Sequence, residues 1–277
     1  MASRKLSAVV LVIAFLGPSL GSRAQRVERP TLNEILQRLQ ENLSHYDKSV
    51  PSFFCDEHVV SQMEAGHRDR NVFTDSTFRV KRITNPDHTT AFKESRDIKS
   101  INGKPPASQD RDINGPSLLQ GVFEGGLAVV SADQAACMKY QLQRMNPKRP
   151  TEPYVIRFAT AFTGPVPDSC LLQEKSKGRI MVDPQSMQIS RLEISTPRHV
   201  IIPGGAPILG KRFLSVDYAP IQLAGETIWM PSDIAMSAIS GSRTFDETVW
   251  SFKATYRGYH KLEVTSRIHS DSETPIP

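Results

Sequence analysis

The chain contains 277 residues, of which 39% are hydrophobic and 23% are charged, and its mean hydropathy is -0.33. This balance is typical of a water-soluble globular protein and excludes an intrinsically disordered or collagen-like chain. The 34 Lys and Arg side chains outnumber the 29 Asp and Glu side chains, but the two signs alternate without a basic cluster, which argues against nucleic acid as a partner.

The first 24 residues have the pattern of a secretory signal peptide. A basic start is followed by an apolar run of eleven residues, 6–16, and residues 22–24 (Ser-Arg-Ala) form a small-residue cleavage site. A membrane anchor is the alternative, but the apolar run has about half of the ~20 residues that a helix needs to cross a bilayer. The pattern predicts export to the periplasm or the extracellular space, with a mature chain that begins at Gln25 and has no transmembrane segment.

The mature chain predicted in this way is close to neutral. Removal of residues 1–24 leaves 31 basic and 29 acidic side chains, a net charge of +2. A lipid anchor would require a cysteine at the cleavage point, whereas the first cysteine is Cys55. We therefore expect a mature chain without a lipid anchor.

One amphipathic helix is predicted directly after the export signal. Thr31 and Glu34 have the spacing of a capping box, and Pro51 ends the region. A second, short helix is predicted at residues 117–123, before Gly125 and Gly126. The apolar stripe of the first helix consists of Leu32, Ile35, Leu36, Leu39, Leu43 and Tyr46.

Most of the remaining chain has the alternating pattern of β-strands. Residues 250–264 place aromatic and aliphatic side chains on one parity and mainly polar side chains on the other, which predicts a long two-faced strand that bends at Gly258. His260 falls on the apolar parity and is interpreted as a core or cavity histidine. The same alternation occurs at Phe78 and Val80, at Met138, Tyr140 and Leu142, and at Tyr154, Ile156, Phe158 and Phe162.

Turn signals predict that neighbouring strands in sequence pair antiparallel. Asn102-Gly103 is a tight-turn dipeptide, and residues 183–186 (Asp-Pro-Gln-Ser) place proline second in a turn. Residues 25–270 are expected to form a single β-rich domain, followed by a disordered tail at 271–277. The segments rich in Pro, Gly and polar residues are interpreted as loops or hairpin tips, at 103–116, 145–153 and 197–210.

Three cysteines remain in a chain that is predicted to reach an oxidising compartment. Cys137 and Cys170 lie at the ends of two predicted strands in neighbouring segments, and we expect them to form a disulfide. Cys55 follows two phenylalanines, with no helix N-terminus or cationic cluster nearby in sequence that would lower its pKa. It is predicted to be a small core residue.

No motif in the sequence indicates catalysis, a metal or a cofactor. Asp56-Glu57-His58 has metal-ligand residue types, but adjacent strand residues point to opposite faces, so only Asp56 and His58 would converge. The histidines are scattered singly, and neither a phosphate loop nor a nucleophile elbow is present. We expect a protein without a metal or a cofactor that is not an enzyme.

The order of these elements resembles the LolA/LolB-like lipoprotein-localisation carrier superfamily. The resemblance rests on the helix after the export signal and on the long antiparallel strands. It rests also on residues 178–193 (GRIMVDPQSMQISRLE), a pattern that is typical of a strand, turn and strand in that superfamily. It implies an α+β fold in which a strongly curved antiparallel β-sheet forms a half-open barrel. The N-terminal helix and one or two short helices would pack on its concave face, and acyl chains would occupy the space between.

Two hypotheses of function follow. In the first, the protein is a non-enzymatic binding protein whose apolar concave face accepts a lipid or a lipidated protein. In the second, it is an envelope interaction or scaffold protein of the same fold with a filled core and no ligand. The candidate ligand-binding residues are Phe158, Trp250, Phe252, Tyr256 and Leu262.

Overall fold

The N-terminal helix α1 (Leu32–Ser49) begins at the predicted capping box. The Thr31 side chain accepts a hydrogen bond from the Glu34 backbone N–H, and the Glu34 carboxylate accepts one from the Thr31 N–H at 2.6 Å. The computed structural model describes residues 29–65, 68–86, 90–107, 128–144, 149, 151–201, 207–241 and 246–263. Among these residues, no helix has the length and apolar character needed to span a bilayer.

Ten strands in the described residues form a single antiparallel sheet. Its spatial order is β3-β2-β1-β10-β9-β8-β7-β6-β5-β4, so β3 and β4 are its two edges and the sheet is open. An open, curved antiparallel sheet with an N-terminal helix is the predicted α+β half-open barrel, and this prediction is confirmed. The strands are β1 (Phe53–Ala65), β2 (Arg68–Thr84), β3 (Thr90–Ile101), β4 (Met138–Leu142), β5 (Tyr154–Thr160), β6 (Lys177–Val182), β7 (Ile189–Ile201), β8 (Ile208–Leu223), β9 (Glu226–Gly241) and β10 (Asp246–Lys261).

The sheet has two distinct faces, because cross-strand partners point to the same side. We call the face that contacts α1 the core face and the opposite side the open face. Ile35 and Leu39 of α1 are buried in one cluster with the core face. Two rows of that face run across the strands from β10 to β5, and they consist of Phe252, Met236, Leu214, Ile194, Gly178 and Phe158 and of Ala254, Ile234, Val216, Leu192, Ile180 and Ile156.

The predicted turns hold the hairpins in register. Asn102 and Gly103 both have positive φ, 51° and 73°, as a tight turn of the mirror-image type requires. In the turn between β6 and β7, the Asp183 carboxylate accepts hydrogen bonds from the backbone N–H groups of Gln185 and Ser186. These bonds, the Ser186 one foremost, lower the pKa of Asp183.

The long C-terminal strand departs from its predicted pattern at Gly258. The register with β1 shifts opposite this residue, whose φ of 62° marks a bulge. The extra residue reverses the alternation, so that Tyr259 packs against Phe53 in the core whereas His260 is exposed and stacks near Phe54. The interpretation of His260 as a core or cavity histidine was therefore wrong.

Several predicted segments differ from the structure or lie outside its described residues. Within the predicted loop 197–210, β7 continues to Ile201 and β8 starts at Ile208, so both strands extend further than expected. A β-bulge at Pro197 allows this, since proline is tolerated in a sheet at such positions. The signal peptide 1–24, the short helix 117–123 and the tail 271–277 lie outside the described residues.

The predicted disulfide is present. Cys137 and Cys170 are joined, with their Cα atoms 5.7 Å apart, and the third cysteine, Cys55, is free and buried. Burial and the neighbouring Glu57 raise the pKa of the Cys55 thiol to about 12. The thiol therefore stays protonated at neutral pH, as a small core residue rather than a nucleophile would.

Loss of the disulfide is expected to lower stability without changing the fold. The bridge closes a loop between residues 33 apart in sequence, which contributes about 3 to 4 kcal/mol in the chain-entropy description. The Cys137→Ser variant should show this loss in chemical denaturation, and the wild type should show the same loss after reduction. Equal midpoints for the reduced and oxidised wild type would contradict the expectation, and Cys55→Ser, which leaves the bridge intact, should still respond to reduction.

Candidate functional site

The predicted ligand-binding residues lie mostly in the packed core. Phe158, Phe252 and Tyr256 are buried on the core face, and Trp250 is half-buried against the same cluster. Leu262 follows the end of β10, and its backbone N–H donates to the Ser52 carbonyl. Three of the five predicted residues are thus buried in the cluster that also contains Ile35 and Leu39 of α1.

The Phe158 ring shows how closely this core is packed. Phe158 of β5 lies opposite Gly178 of β6 in the ladder. A Cβ at Gly178 would lie 2.3 Å from the Phe158 ring and 2.1 Å from the Glu193 carbonyl oxygen, so any side chain there would clash with both. Only glycine permits the ring to lie flat over this position.

A cavity in the described residues has a volume of about 1020 Å³ and crosses eight neighbouring strands, from β1 to β4. One row of residues that borders the cavity has the core-face parity and includes two of the predicted ligand-binding residues; it consists of Tyr140, Phe158, Gly178, Ile194, Leu214, Met236 and Phe252. Two rows of cross-strand partners on either side of it form the walls. One row consists of Val60, Lys253, Ala235, Ser215, Glu193, Arg179, Arg157 and Gln141, and the other of Gln62, Ser251, Ser237, Phe213, Ser195, Lys177, Ala159 and Lys139.

Both rows belong to the open face. On β10, for example, Ser251 and Lys253 line the cavity on either side of Phe252, whose side chain is buried on the core face. On β1, Val60 and Gln62 line the cavity but the core-face residue between them, Ser61, does not. The cavity is therefore a groove on the side of the sheet opposite α1, about 34 Å long at ~4.8 Å per strand spacing.

The chemical character of this open-face groove changes along its length. Its middle, on β9 and β8, is formed by small side chains and by Phe213, which is 40% exposed although it is a large aromatic residue. The end on β6, β5 and β4 is cationic. The side chains that give this end its charge are Lys139, Arg157, Lys177 and Arg179.

The single acidic residue that lines the groove, Glu193, is already paired. Its carboxylate accepts hydrogen bonds from Arg179 Nε at 2.8 Å and from Arg191 Nε at 2.9 Å. Partial burial raises the pKa of Glu193, but the two guanidinium groups outweigh this and hold it below the ordinary value. Glu193 is therefore ionised, and its charge is satisfied by arginines beside it.

Sequence reasoning missed the groove because it singled out the apolar parity of each strand. Phe158 and Phe252 do border the groove, but the side chains that form its walls belong to the polar parity, which in a single strand looks like an ordinary solvated face. The cationic end combines residues from β4, β5 and β6, which are spread over positions 139 to 179 of the chain, and only the register brings them together. Phe213, on the same parity as polar residues of β8, is the signal that could have been used.

A buried ion pair between β1 and β3 was also missed. The Glu57 side chain has no exposed surface, and it accepts hydrogen bonds from Arg96 Nε at 2.8 Å, Ser76 Oγ at 2.7 Å and Tyr256 OH at 3.0 Å. The Arg96 guanidinium lies 4.6 Å from the centre of the Phe78 ring, a cation–π contact. This cluster fixes the pairing of four strands and leaves no free polar group for a ligand.

The Asp56-Glu57-His58 segment divides between the faces as the alternation predicted. Asp56 and His58 are exposed on the open face, whereas Glu57 is buried on the core face. His58 Nδ1 lies 2.7 Å from Asp75, and Asp56 pairs with Lys99 at 2.8 Å. In the part of the chain that the structure describes, no group of three or more His, Cys, Asp or Glu side chains is arranged to hold a metal ion.

No protein-family model and no curated protein matches the chain. Among solved structures, the chain is similar to a LolA superfamily protein from Nitrosomonas europaea, with 13% identity, a TM-score of 0.35 and coverage of 83% of this chain and 94% of that one. A DUF1329 family protein from Desulfovibrio piger shows 7% identity and a TM-score of 0.40, over 84% and 95% of the two chains. An outer membrane lipoprotein-sorting protein domain from Vibrio parahaemolyticus shows 11% identity and a TM-score of 0.32, over 86% and 93%.

One of these three structures is described as a LolA superfamily protein. Identities of 7% to 13% do not transfer a ligand or an activity to this chain.

Proposed function

We propose that the protein is an exported, non-enzymatic binding protein that takes an extended, largely apolar ligand, such as an acyl chain, in its open-face groove. The observation that carries the proposal is the groove itself, with a volume of about 1020 Å³ and an exposed aromatic residue, Phe213, at its middle. Ligand sites of this size are usually lined by apolar surface with a few polar groups that fix orientation.

The walls of the groove fit such a ligand. Ala235, Ala159 and Val60 supply aliphatic surface, and the serines between them leave room because their side chains are short. The aliphatic stems of Lys and Arg add apolar surface while their charged ends stay in water. An extended chain that lies across the strands would cover the Phe213 ring and remove its apolar surface from water, which favours binding.

Export is part of this proposal and has two supports. The first 24 residues have the pattern of a signal peptide. The disulfide between Cys137 and Cys170 is typical of an oxidising compartment such as the periplasm or the extracellular space.

The second candidate function, a scaffold without a ligand, is favoured by the filled core face. Phe252 and Tyr256, which were predicted to line a concave apolar site, are buried beneath α1 among the described residues. On this alternative, the open-face groove would be occupied by solvent. The two functions differ in whether the groove binds an apolar chain, and a groove-filling variant decides between them.

The Ala235→Trp variant tests the binding function. Ala235 lies on β9 at the middle of the groove, opposite Ser215 and Lys253, and an indole there would occupy the space that the ligand needs. Titration with a dansyl-labelled undecanoic acid, followed by displacement with palmitate, should show binding to the wild type. The variant should bind at least about tenfold more weakly, a loss of about 1.4 kcal/mol.

The matched control is Ser95→Trp, which places the same side chain on the open face of β3, outside the groove. This variant should bind like the wild type, and both variants should unfold at close to the wild-type midpoint because they alter a surface. Absence of saturable binding to the wild type, together with no acyl chains in lipid extracts of protein from its native compartment, would favour the scaffold. Equal binding by both variants would place the site elsewhere.

A further inference from the structure

Four cationic side chains surround one small residue at the β4 end of the groove. Ala159 of β5 lies directly opposite Lys139 of β4 on one side and Lys177 of β6 on the other. Arg157 is two residues before Ala159 on the same strand and face, and it lies directly opposite Arg179. The small alanine side chain leaves space between these longer side chains.

Only one of the four cations of this cluster is paired with a carboxylate among the described residues. Arg179 is paired with Glu193, but Lys139, Arg157 and Lys177 have no ion pair in the described part of the chain. Nearby Arg191, in contrast, is paired with both Glu193 and Asp217. Directly opposed like charges on one face of a sheet are unfavourable, and Arg157 and Arg179 would gain from an anion between them.

We propose that Lys139, Arg157, Lys177 and Arg179 form an anion-binding site for the carboxylate or phosphate headgroup of the ligand whose apolar part lies along the groove. The position of the acyl chain in the groove rests on the proposed function. Binding of the anion by the four cations does not depend on it. Guanidinium groups bind carboxylate and phosphate oxygens through paired hydrogen bonds, and the ammonium groups add charge. The groove continues from this cluster towards Phe213, so one molecule can reach both parts.

The test compares three probes by isothermal titration calorimetry, namely hexadecyl phosphate, the neutral hexadecanol and inorganic phosphate. The variant Arg157→Gln/Lys177→Gln removes two charges of the cluster and keeps polar side chains on an exposed surface. The control is Lys81→Gln/Lys93→Gln, which also removes two exposed cations. Lys81 and Lys93 are directly opposite each other on the open face of β2 and β3, outside the groove. Far-UV circular dichroism checks that both variants are folded.

We expect hexadecyl phosphate to bind the wild type at least about tenfold more tightly than hexadecanol. The Arg157→Gln/Lys177→Gln variant should lose this preference, so that its affinity for hexadecyl phosphate falls to its affinity for hexadecanol, whereas the control variant should keep the preference. The preference should also shrink as salt concentration rises, because exposed charges are screened.

The other outcomes separate the two proposals. Equal affinities of the wild type for hexadecyl phosphate and hexadecanol would overturn the anion site and leave the acyl-chain site standing. Inorganic phosphate that binds as tightly as hexadecyl phosphate, and is lost in the variant, would support the anion site and overturn the acyl-chain site. Loss of the preference in the control variant would show that overall charge is responsible, and would overturn the assignment of the anion site to this cluster. If no probe binds the wild type, both proposals are overturned.

Discussion

Replacing Phe252 with aspartate is expected to unfold the protein or to leave it aggregation-prone. Phe252 is 4% exposed and lies in the core cluster between Met236 of β9 and Ser61 of β1. The variant would lose a buried aromatic side chain and place a carboxylate in an apolar setting without a partner. The combined cost is several kcal/mol, on the order of the ~5 to 15 kcal/mol that stabilises a typical domain.

The same substitution at the next residue provides the control. The Lys253 side chain is 64% exposed on the open face, and its only ion pair in the described structure is a 4.0 Å contact with Asp233. Lys253→Asp should therefore lower the free energy of unfolding by less than about 1 kcal/mol. Chemical denaturation of both variants measures the difference, and equal losses would mean that the two faces of β10 are not distinct.

The second large effect is expected at Arg96. Arg96→Met keeps much of the side-chain volume but removes the cation that neutralises Glu57, whose side chain has no exposed surface. The hydroxyl groups of Ser76 and Tyr256 would remain as its only hydrogen-bond donors among those that the structure shows. Removal of one partner from a buried ion pair costs about 3 to 5 kcal/mol, because the other charge stays buried without compensation.

A surface ion pair between β2 and β3 is the matched control. Arg79 of β2 pairs with Asp97 of β3 at 3.3 Å, and their side chains are 41% and 63% exposed. Arg79→Met should cost less than about 1 kcal/mol. Adding Glu57→Gln to Arg96→Met should recover part of the loss, since the buried charge is then removed. Urea midpoints that are equal for Arg79→Met and Arg96→Met would show that the Glu57 cluster is not an important stabilising contact.

Features that depend on neighbours in sequence could be predicted. The Thr31 and Glu34 capping box, the Asn102-Gly103 turn and the turn after Asp183 are set by side chains within three positions of the backbone groups that they bind. The alternation along Trp250–Tyr256 indicated which side chains are buried, because strand periodicity is local. The disulfide was also predicted, although Cys170 lies in the connection between β5 and β6 and not at the end of a strand.

Other features depend on which strands pair and in what register, and here the sequence was insufficient. The glycine at 258 signalled a bend, but only the pairing with β1 shows that an extra residue is accommodated there and that Tyr259, not His260, turns into the core. The alternation placed Glu57 on the face opposite Asp56 and His58, but it could not identify its partner, Arg96, which is 39 positions away. Local sequence patterns contain no information about such distant contacts.

The sequence by itself determined that this protein has an N-terminal helix, long antiparallel strands, one disulfide and a two-faced C-terminal strand, since each follows from residues close together in the chain. The tertiary structure alone decided which face is filled and which carries a groove. Burial of the apolar parity beneath α1 closed the core face. Antiparallel register across eight strands aligned the polar parity into two rows and brought Lys139, Arg157 and Lys177 to one end of the groove, because cross-strand neighbours are set by pairing and not by sequence distance.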